Sequence, residues 1–288
     1  MAEGILRDRV AIVTGAGSPA GMGHAMALGL VRAGARVALF DLHPDGLAAS
    51  VAALAAVGGE GCALGLVTDV TDPEAVQRSV DRTVDELGGL HILVNNAGTN
   101  PRSAGFEIAS RRFWDIPLPA WDRVVAVNCT GPFYTARTVI GHLRKQGWGR
   151  IVGVTTSVDT MFGKNRVPYG PSKAAHEALV ASMAEDLADS GVTANVLVPG
   201  GPTNTNFFSK KSAAERAVLI EPAVMQAPLV WLASDAAQDF TGRRIIACRW
   251  NEALPIEARL AAASAPAAWP QLGKQAVRPS AESAGPRA

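Results

Sequence analysis

Apolar residues along the chain alternate between short β-branched runs and longer stretches where apolar positions return every three or four residues. The first run, Val10–Thr14, leads into a glycine-rich turn, after which Gly21–Val31 follows helical periodicity. Arg36–Phe40, closed by Asp41, predicts a second strand, residues 44–57 a helix, and Cys62–Thr68 a third strand. Asp72-Pro73 sets an N-cap acid before a proline at the first helical position. Val76, Val80, Val84 and Leu87 share one face of that helix, and Gly88 stops it. His91–Val94 predicts a fourth strand ending in Asn95-Asn96-Ala97-Gly98, and helix resumes over Leu118–Tyr134. A fifth strand, Arg150–Thr155, leads to Ser157. The helix that follows from Tyr169 carries Ala175, Leu179, Met183 and Leu187 on one face, with Gly191 just past its end. Val192–Val198 predicts a sixth strand ending Pro199-Gly200, and a helix near Ala223–Ala233 precedes a last strand, Arg243–Ala247.

Strands alternating with crossover helices predict an α/β fold: a single doubly wound Rossmann-type parallel sheet with helices on both faces. We assign this domain to residues 1–250. Residues 251–288 change character, becoming Ala- and Pro-rich and weakly periodic, and predict an extended or partner-wrapping extension with a disordered end.

Composition narrows the class of function. With 288 residues, 48% hydrophobic and 18% charged, the chain can bury a sizeable core, and its net charge of +1 offers no footprint for nucleic acid or an anionic membrane. No apolar run approaches the roughly 20 residues of a membrane span. Met1–Arg9 is charged and lacks the apolar region of a signal peptide. The three cysteines, Cys62, Cys129 and Cys248, are odd in number, widely spaced and form no CxxC pair. They read as free thiols of a cytosolic protein and argue against a zinc site or disulfides.

Two stretches carry chemistry. The first is the turn Thr14-Gly15-Ala16-Gly17-Ser18-Pro19-Ala20-Gly21-Met22-Gly23, between the first strand and first helix. Glycines there allow a tight turn and close approach of a pyrophosphate to the helix N-terminus. Asp41, eighteen residues past Gly23 at the end of the second strand, suits the adenosine ribose hydroxyls and repels a 2′-phosphate. NAD is therefore the expected cofactor, in preference to NADP.

The second stretch runs from Ser157 to Lys173. Tyr169 and Lys173 stand four residues apart on a helix, so phenol and ammonium project side by side. A nearby cation favours phenolate, which brings a tyrosine toward the range where a general acid/base works. Ser157, twelve residues upstream, offers a hydroxyl to hold a substrate oxygen.

Taken together, the turn Thr14–Gly23, Asp69-Val70, Asn95-Asn96-Ala97-Gly98, Asn128, Ser157, Tyr169-Gly170-Pro171-Ser172-Lys173 and Pro199-Gly200 resemble the classical short-chain dehydrogenase/reductase family across roughly residues 5–250. The resemblance implies Tyr169 as general acid/base, with Lys173 lowering its pKa and binding the nicotinamide ribose. It implies Ser157 on the substrate oxygen and Asn128 ordering a relay water beside Lys173; a helix-interior asparagine satisfying backbone groups is the equal alternative for Asn128. Cofactor contacts are implied for Gly15, Ser18, Gly21, Met22, Gly23, Asp41, Asp69, Val70, Asn96, Ala97, Gly98, Tyr169, Lys173, Pro199, Gly200, and Thr203 or Thr205 near the carboxamide. No metal is implied. The partners implied are a small alcohol or ketone substrate and further copies of the chain, as a homodimer or homotetramer.

Three departures from the family pattern stand out. The glycine turn is two residues longer than the commonest spacing, around Pro19-Ala20. An insertion over Gly105–Pro119 includes Arg111, Arg112 and Trp114, and surface loop is the favoured reading. The chain also continues past Trp250-Asn251-Glu252 in place of the usual Asp-Gly-Gly ending. Substrate preference is expected in Met161, Phe162 and the lid-like segment Asn204–Ile220, whose Phe207-Phe208 pair could cover an apolar substrate. Lys210, Lys211 and Arg216 could meet a carboxylate, though a solvated helix face is favoured for them. The alternatives are a 3-oxoacyl-type ketone reductase and a catalytically silent nucleotide-binding scaffold.

Overall fold

A computed structural model describes residues 4–108, 110, 112–208 and 212–273. Arg111, Lys210, Lys211 and residues 274–288 of the extension lie outside the described residues.

The β-branched runs become strands β1 (Val10–Thr14), β2 (Arg36–Asp41), β3 (Ala63–Val67), β4 (Ile92–Asn95), β5 (Gly149–Val154), β6 (Val192–Val198) and β7 (Arg243–Ile246). Their order across the sheet is β3-β2-β1-β4-β5-β6-β7, all parallel, with a short eighth strand, β8 (Ser264–Pro266), antiparallel on the β7 edge. The order reverses between β1 and β4, which opens the crevice where doubly wound sheets take their ligands.

Alternate residues of each strand feed two separate cores. Ala11, Val13, Val37 and Leu39 face α1 (Met22–Arg32), α2 (Pro44–Gly58) and α9 (Gln226–Leu232), through Met26, Leu30, Leu54 and Leu229. Val10, Ile12, Ala38 and Phe40 face the opposite layer of α3 (Pro73–Leu87), α5 (Gly131–Lys145) and α7 (Tyr169–Asp186), through Val76, Val80, Val139, Leu143 and Val180. Each fully buried aliphatic side chain of this kind contributes about 1.5–3 kcal/mol. Among the described residues, no helix is long and apolar enough to cross a membrane.

Three local features differ from the pattern-based expectation, while the insertion stands at the surface. The helix expected over 118–134 runs on to Lys145, and a π turn, Ala126–Thr130, interrupts it between α4 (Leu118–Val125) and α5. In α7 the expected apolar stripe divides: Ala175 is exposed and Leu179 half-buried, while Met183 packs partly on the core and Leu187 is buried. The buried face instead carries Ser172, Lys173, His176, Glu177, Val180 and Ala184, because the helix turns its polar groups toward the site. The extension, over its described part, is not a free arm. α10 (Ile256–Ala263) packs back on the domain and β8 covers the sheet edge. In the insertion, Phe113 and Trp114 meet edge to face at 5.0 Å and are both exposed.

Helix α3 starts as its sequence dictates. Asp72 accepts from the N–H groups of Glu74 and Ala75, and Gly88 closes the far end in the left-handed region. Asp72→Ala should lower the free energy of urea unfolding by about 1 kcal/mol with an unchanged denaturant slope.

Candidate active site

The glycine turn is shaped by what it must pass. Gly15 adopts φ +67°, and a Cβ there would come within 2.7 Å of the Ala97 backbone. A Cβ on Gly23 would meet the Gly15 carbonyl, and one on Gly17 would sit 2.7 Å from the Asp41 carboxyl carbon. Thr14 stitches this turn to the end of β4, its hydroxyl accepting from the N–H groups of Asn96 and Ala97, both at 3.0 Å. The Asn96 amide returns the tie by donating to the carbonyls of Thr14 and Gly15 at 2.9 and 3.0 Å. Asn96 thus braces the turn itself, a role its motif position alone does not specify. The longer spacing forms a compact reversal in which Gly21 N–H donates to the Ser18 carbonyl at 2.8 Å. It leaves the Ser18 hydroxyl to accept from Asn206 at 3.0 Å. Met22 is half-buried at the start of α1.

Asp41 does not cap α2. Its Oδ2 accepts from Gly17 N–H at 2.8 Å, and its Oδ1 from the N–H of Leu42 at 2.8 Å and of His43 at 3.3 Å. The carboxylate therefore stands at the rim of the glycine turn. Asp69 is tied down more heavily, by Thr71 N–H and hydroxyl at 2.9 and 2.7 Å and by Arg123 at 3.3 Å. Burial alone would raise its pKa, but the Thr71 and Arg123 interactions outweigh it and the net shift is downward. Val70 is buried against Gly131, where a Cβ would come within 2.9 Å of it.

Lys173 is only 3% exposed and donates to the Val154 carbonyl at the end of β5 at 2.8 Å. Gly98 passes so close that a Cβ on it would stand 3.2 Å from the ammonium and 3.5 Å from Asn128 Oδ1. Asn128, fully buried in the π turn, accepts from Thr99 N–H at 2.7 Å and donates to Thr99 O and Ser172 Oγ, both at 2.9 Å. These bonds match the backbone-satisfying alternative for Asn128, and its Oδ1 and the ammonium flank the same space beside Gly98. His176, one turn on, is buried with neither ring nitrogen partnered among the described residues. Burial first, and Lys173 second, keep it neutral.

Tyr169 opens α7, half-buried, with the Phe207 ring of the lid 6.1 Å away. Burial pushes its phenol up to about 12 against a smaller downward pull from Arg166, and burial brings Lys173 down to about 8. The expected lowering of the phenol by Lys173 is absent from the protein alone, because desolvation drives both groups toward neutrality. Ser157 Oγ lies 3.0 Å from the Thr160 hydroxyl, in the first turn of the short helix α6 (Val158–Phe162). Met161 is buried there and Phe162 is exposed.

The segment after β6 folds over this cleft. Gly200 takes φ +101° against Cys248, and Pro199 O accepts from Cys248 N–H at 3.1 Å. Thr203 and Thr205 are buried, and Thr203 bridges to Ile220. Arg216, on α8 (Ala213–Ala217), donates to the Asn204 side chain at 2.8 Å, so it is occupied within the lid. Several participants had no local signature in sequence, among them Arg123 and a buried pair formed by Glu177 with Arg244 at 3.1 Å. Ser172 and Thr14 lay inside motifs already singled out, and Asn206 inside the lid-like segment.

The glycine cradle and the Asp41 rim fit a dinucleotide, with room where side chains would otherwise stand and N–H groups at the start of α1. Comparison with known proteins points the same way. The model of the family described as short chain dehydrogenase matches residues 9–216. L-rhamnose 1-dehydrogenase (NAD(P)(+)) of Sphingomonas sp. (strain SKA58) is 30% identical, covering 84% of this chain and 95% of that protein. D-beta-hydroxybutyrate dehydrogenase of Rhizobium meliloti (strain 1021) is 32% identical over 67% of this chain and 70% of its own. The solved structure of NAD+-bound xylitol dehydrogenase superposes with a TM-score of 0.70 at 28% identity, covering 82% of this chain and 96% of that one.

Burial of Lys173 has a measurable consequence. Between about 8, its folded value, and the ordinary 10.5, the unfolded chain holds the proton more tightly, so stability rises with pH across that window. Tyr169 acts oppositely between 10 and about 12, where the folded protein keeps its proton longer and stability falls with pH. Relative to Lys173→Met, wild-type Tm should therefore climb between pH 8 and 10 in thermal melts. Parallel curves would mean that burial does not penalise the ammonium.

Proposed function

The chain belongs to the short-chain dehydrogenase family, and from that premise we propose that it transfers a hydride between NAD and a secondary alcohol or ketone, with Tyr169 as general acid/base. The observation that carries this reading is the buried Lys173 ammonium, held by the Val154 carbonyl at 2.8 Å one helical turn from Tyr169 and against Gly98. A cation this far from water has no structural use on an ordinary helix face, and next to a phenol it has a chemical one.

When bound, the dinucleotide supplies the hydride acceptor in a positively charged ring. Gly15, Ser18, Gly21, Met22 and Gly23 would hold its pyrophosphate, and Asp41 its adenosine ribose. Asp69, Val70, Asn96, Ala97 and Gly98 would border the adenine and the ribose, with Lys173 on the nicotinamide ribose. Pro199, Gly200, Thr203 and Thr205 would pass the nicotinamide. In oxidation, Tyr169 Oη first yields its own proton to solvent, and the phenolate so formed takes the proton of the substrate hydroxyl as the C–H bond gives up its hydride. In reduction, the same oxygen returns a proton to the carbonyl oxygen. Ser157 orients that oxygen, and Asn128 holds the proton path beside Lys173. Asp41 accepts hydrogen bonds where NADP would carry a phosphate, which favours NAD.

The substrate class is a small CH–OH compound or its ketone. The relatives' names span a hydroxy acid, a sugar and a polyol, so family membership leaves the substrate body to the cleft walls. Free cysteines at 62, 129 and 248 agree with work in the cytosol. The half-exposed Leu179 on α7 suits contact between copies in a dimer or tetramer.

Tyr169→Phe should lower kcat about 10²–10⁴-fold, while NADH fluorescence titration gives the same binding as wild type. Surviving activity would remove Tyr169 from the chemistry. Asp41→Ala should narrow the ratio of kcat/KM for NAD over NADP by about tenfold or more, the equivalent of one lost charge-assisted contact. An unchanged ratio would remove Asp41 from cofactor selection.

A further inference from the structure

The described end of the chain does more than cover the sheet edge. Past β8, Ala267 is buried and donates its N–H to the Gly242 carbonyl at 2.9 Å. Ala268, at φ 55°, turns its N–H to the Glu177 carboxylate. Trp269 then lays its ring against Phe162, with centroids 5.4 Å apart at 54°.

Gly242 stands at the entry to β7, whereas the other two anchors lead back to α7 and α6, the helices on either side of Tyr169. Glu177 sits two turns past Tyr169 on the buried face of α7. It accepts from the Thr155 hydroxyl at 2.9 Å and pairs with Arg244 at 3.1 Å, and Arg244 also donates to the Thr156 carbonyl at 3.0 Å. One buried knot therefore fixes the tail and the β5 exit that carries Ser157. On the other side, a Cβ on Gly170 would stand 2.7 and 2.6 Å from the carbonyls of Thr160 and Met161. The backbone of α6 thus presses on the first turn of α7 beside Tyr169, and Phe162 extends from that same turn. Phe162 is 64% exposed, so one face of the Phe162–Trp269 pair is open. The Trp269 indole N–H is buried without a partner among the described residues, which leaves the ring's carbon atoms as the surface it offers.

We infer that Trp269, delivered by the C-terminal extension, forms with Phe162 the distal wall of the substrate cleft and determines specificity. It selects alcohols that carry an apolar, and above all an aromatic, body beyond the carbinol carbon. This rests on the reading of Tyr169 given under Proposed function. Aromatic contacts gain from offset or tilted faces in addition to the area they bury, so a ring-bearing substrate loses most when one of the two rings is removed.

The test is NAD-dependent oxidation of 2-propanol, 2-octanol and 1-phenylethanol by the full-length wild type, Trp269→Ala, Trp269→Phe and Phe162→Ala. The ratio of kcat/KM for 1-phenylethanol over 2-propanol should fall about tenfold or more in Trp269→Ala, through KM. Trp269→Phe, which keeps a ring, should hold the ratio within about threefold of wild type. If Trp269→Ala does not fold, Phe162→Ala must reproduce the fall from the other side of the pair. An active enzyme with an unchanged ratio overturns the wall while leaving the Tyr169 reading intact. A wild type that turns over none of the alcohols, nor acetophenone with NADH, sinks the Tyr169 reading and the wall together.

Discussion

A lysine ammonium taken out of water must be met by fixed dipoles, and much of the architecture follows from meeting that demand at Lys173. The Val154 carbonyl can reach it only because β5 ends there and the chain turns away into α6. A side chain on Gly98 would crowd the ammonium, its Cβ standing 3.2 Å away, because the β4 exit runs past it. Asn128 reaches the same place through a π turn, which displaces it from the regular helical register and lets it grip Thr99 and Ser172 together. Helices rarely hold such a turn without a local task for it, and here the task is to bring α5, α7 and the β4 exit to one point.

The same demand explains which parts of the molecule were legible in the sequence. Alternating β-branched runs located every parallel strand within a residue or two, because strand burial is local in its pattern. The Asp72-Pro73 start and the Gly88 stop of α3 were equally local. The inward face of α7 was not, since hydropathy reads burial as apolar and this face buries Ser172, Lys173, His176 and Glu177. Partnerships across long separations left no trace either. Glu177 with Arg244 spans 67 residues, and Asn206 with Ser18 spans 188. The fate of the extension was illegible for the opposite reason. Its Ala- and Pro-rich composition reads as an extended or partner-wrapping arm, yet three residues, Ser264–Pro266, suffice to pair with β7.

The departures from the commonest family spacing find physical roles once the fold is assembled. The lengthened glycine turn sets Ser18 within reach of Asn206, so the segment after β6 bonds to the glycine-rich loop at one residue and brings the next beside the Tyr169 ring. The two described ends of this segment are tied together by Asn204, Arg216 and Ile220. Contact with both halves of the cleft is thereby carried by two adjacent side chains on a braced loop.

The eighth strand also changes what kind of surface the sheet presents. A parallel sheet ending at β7 would offer a row of unpaired N–H and C=O groups, open to any other extended chain. Here the peptide that closes that row continues through the buried Ala267 and through Ala268 into Trp269, which meets Phe162. Protection from edge-to-edge aggregation and the shape of the pocket are thus properties of one short segment. Selection for a new substrate acting on this segment also acts on the protein's colloidal behaviour, so the two traits are bound to evolve in step.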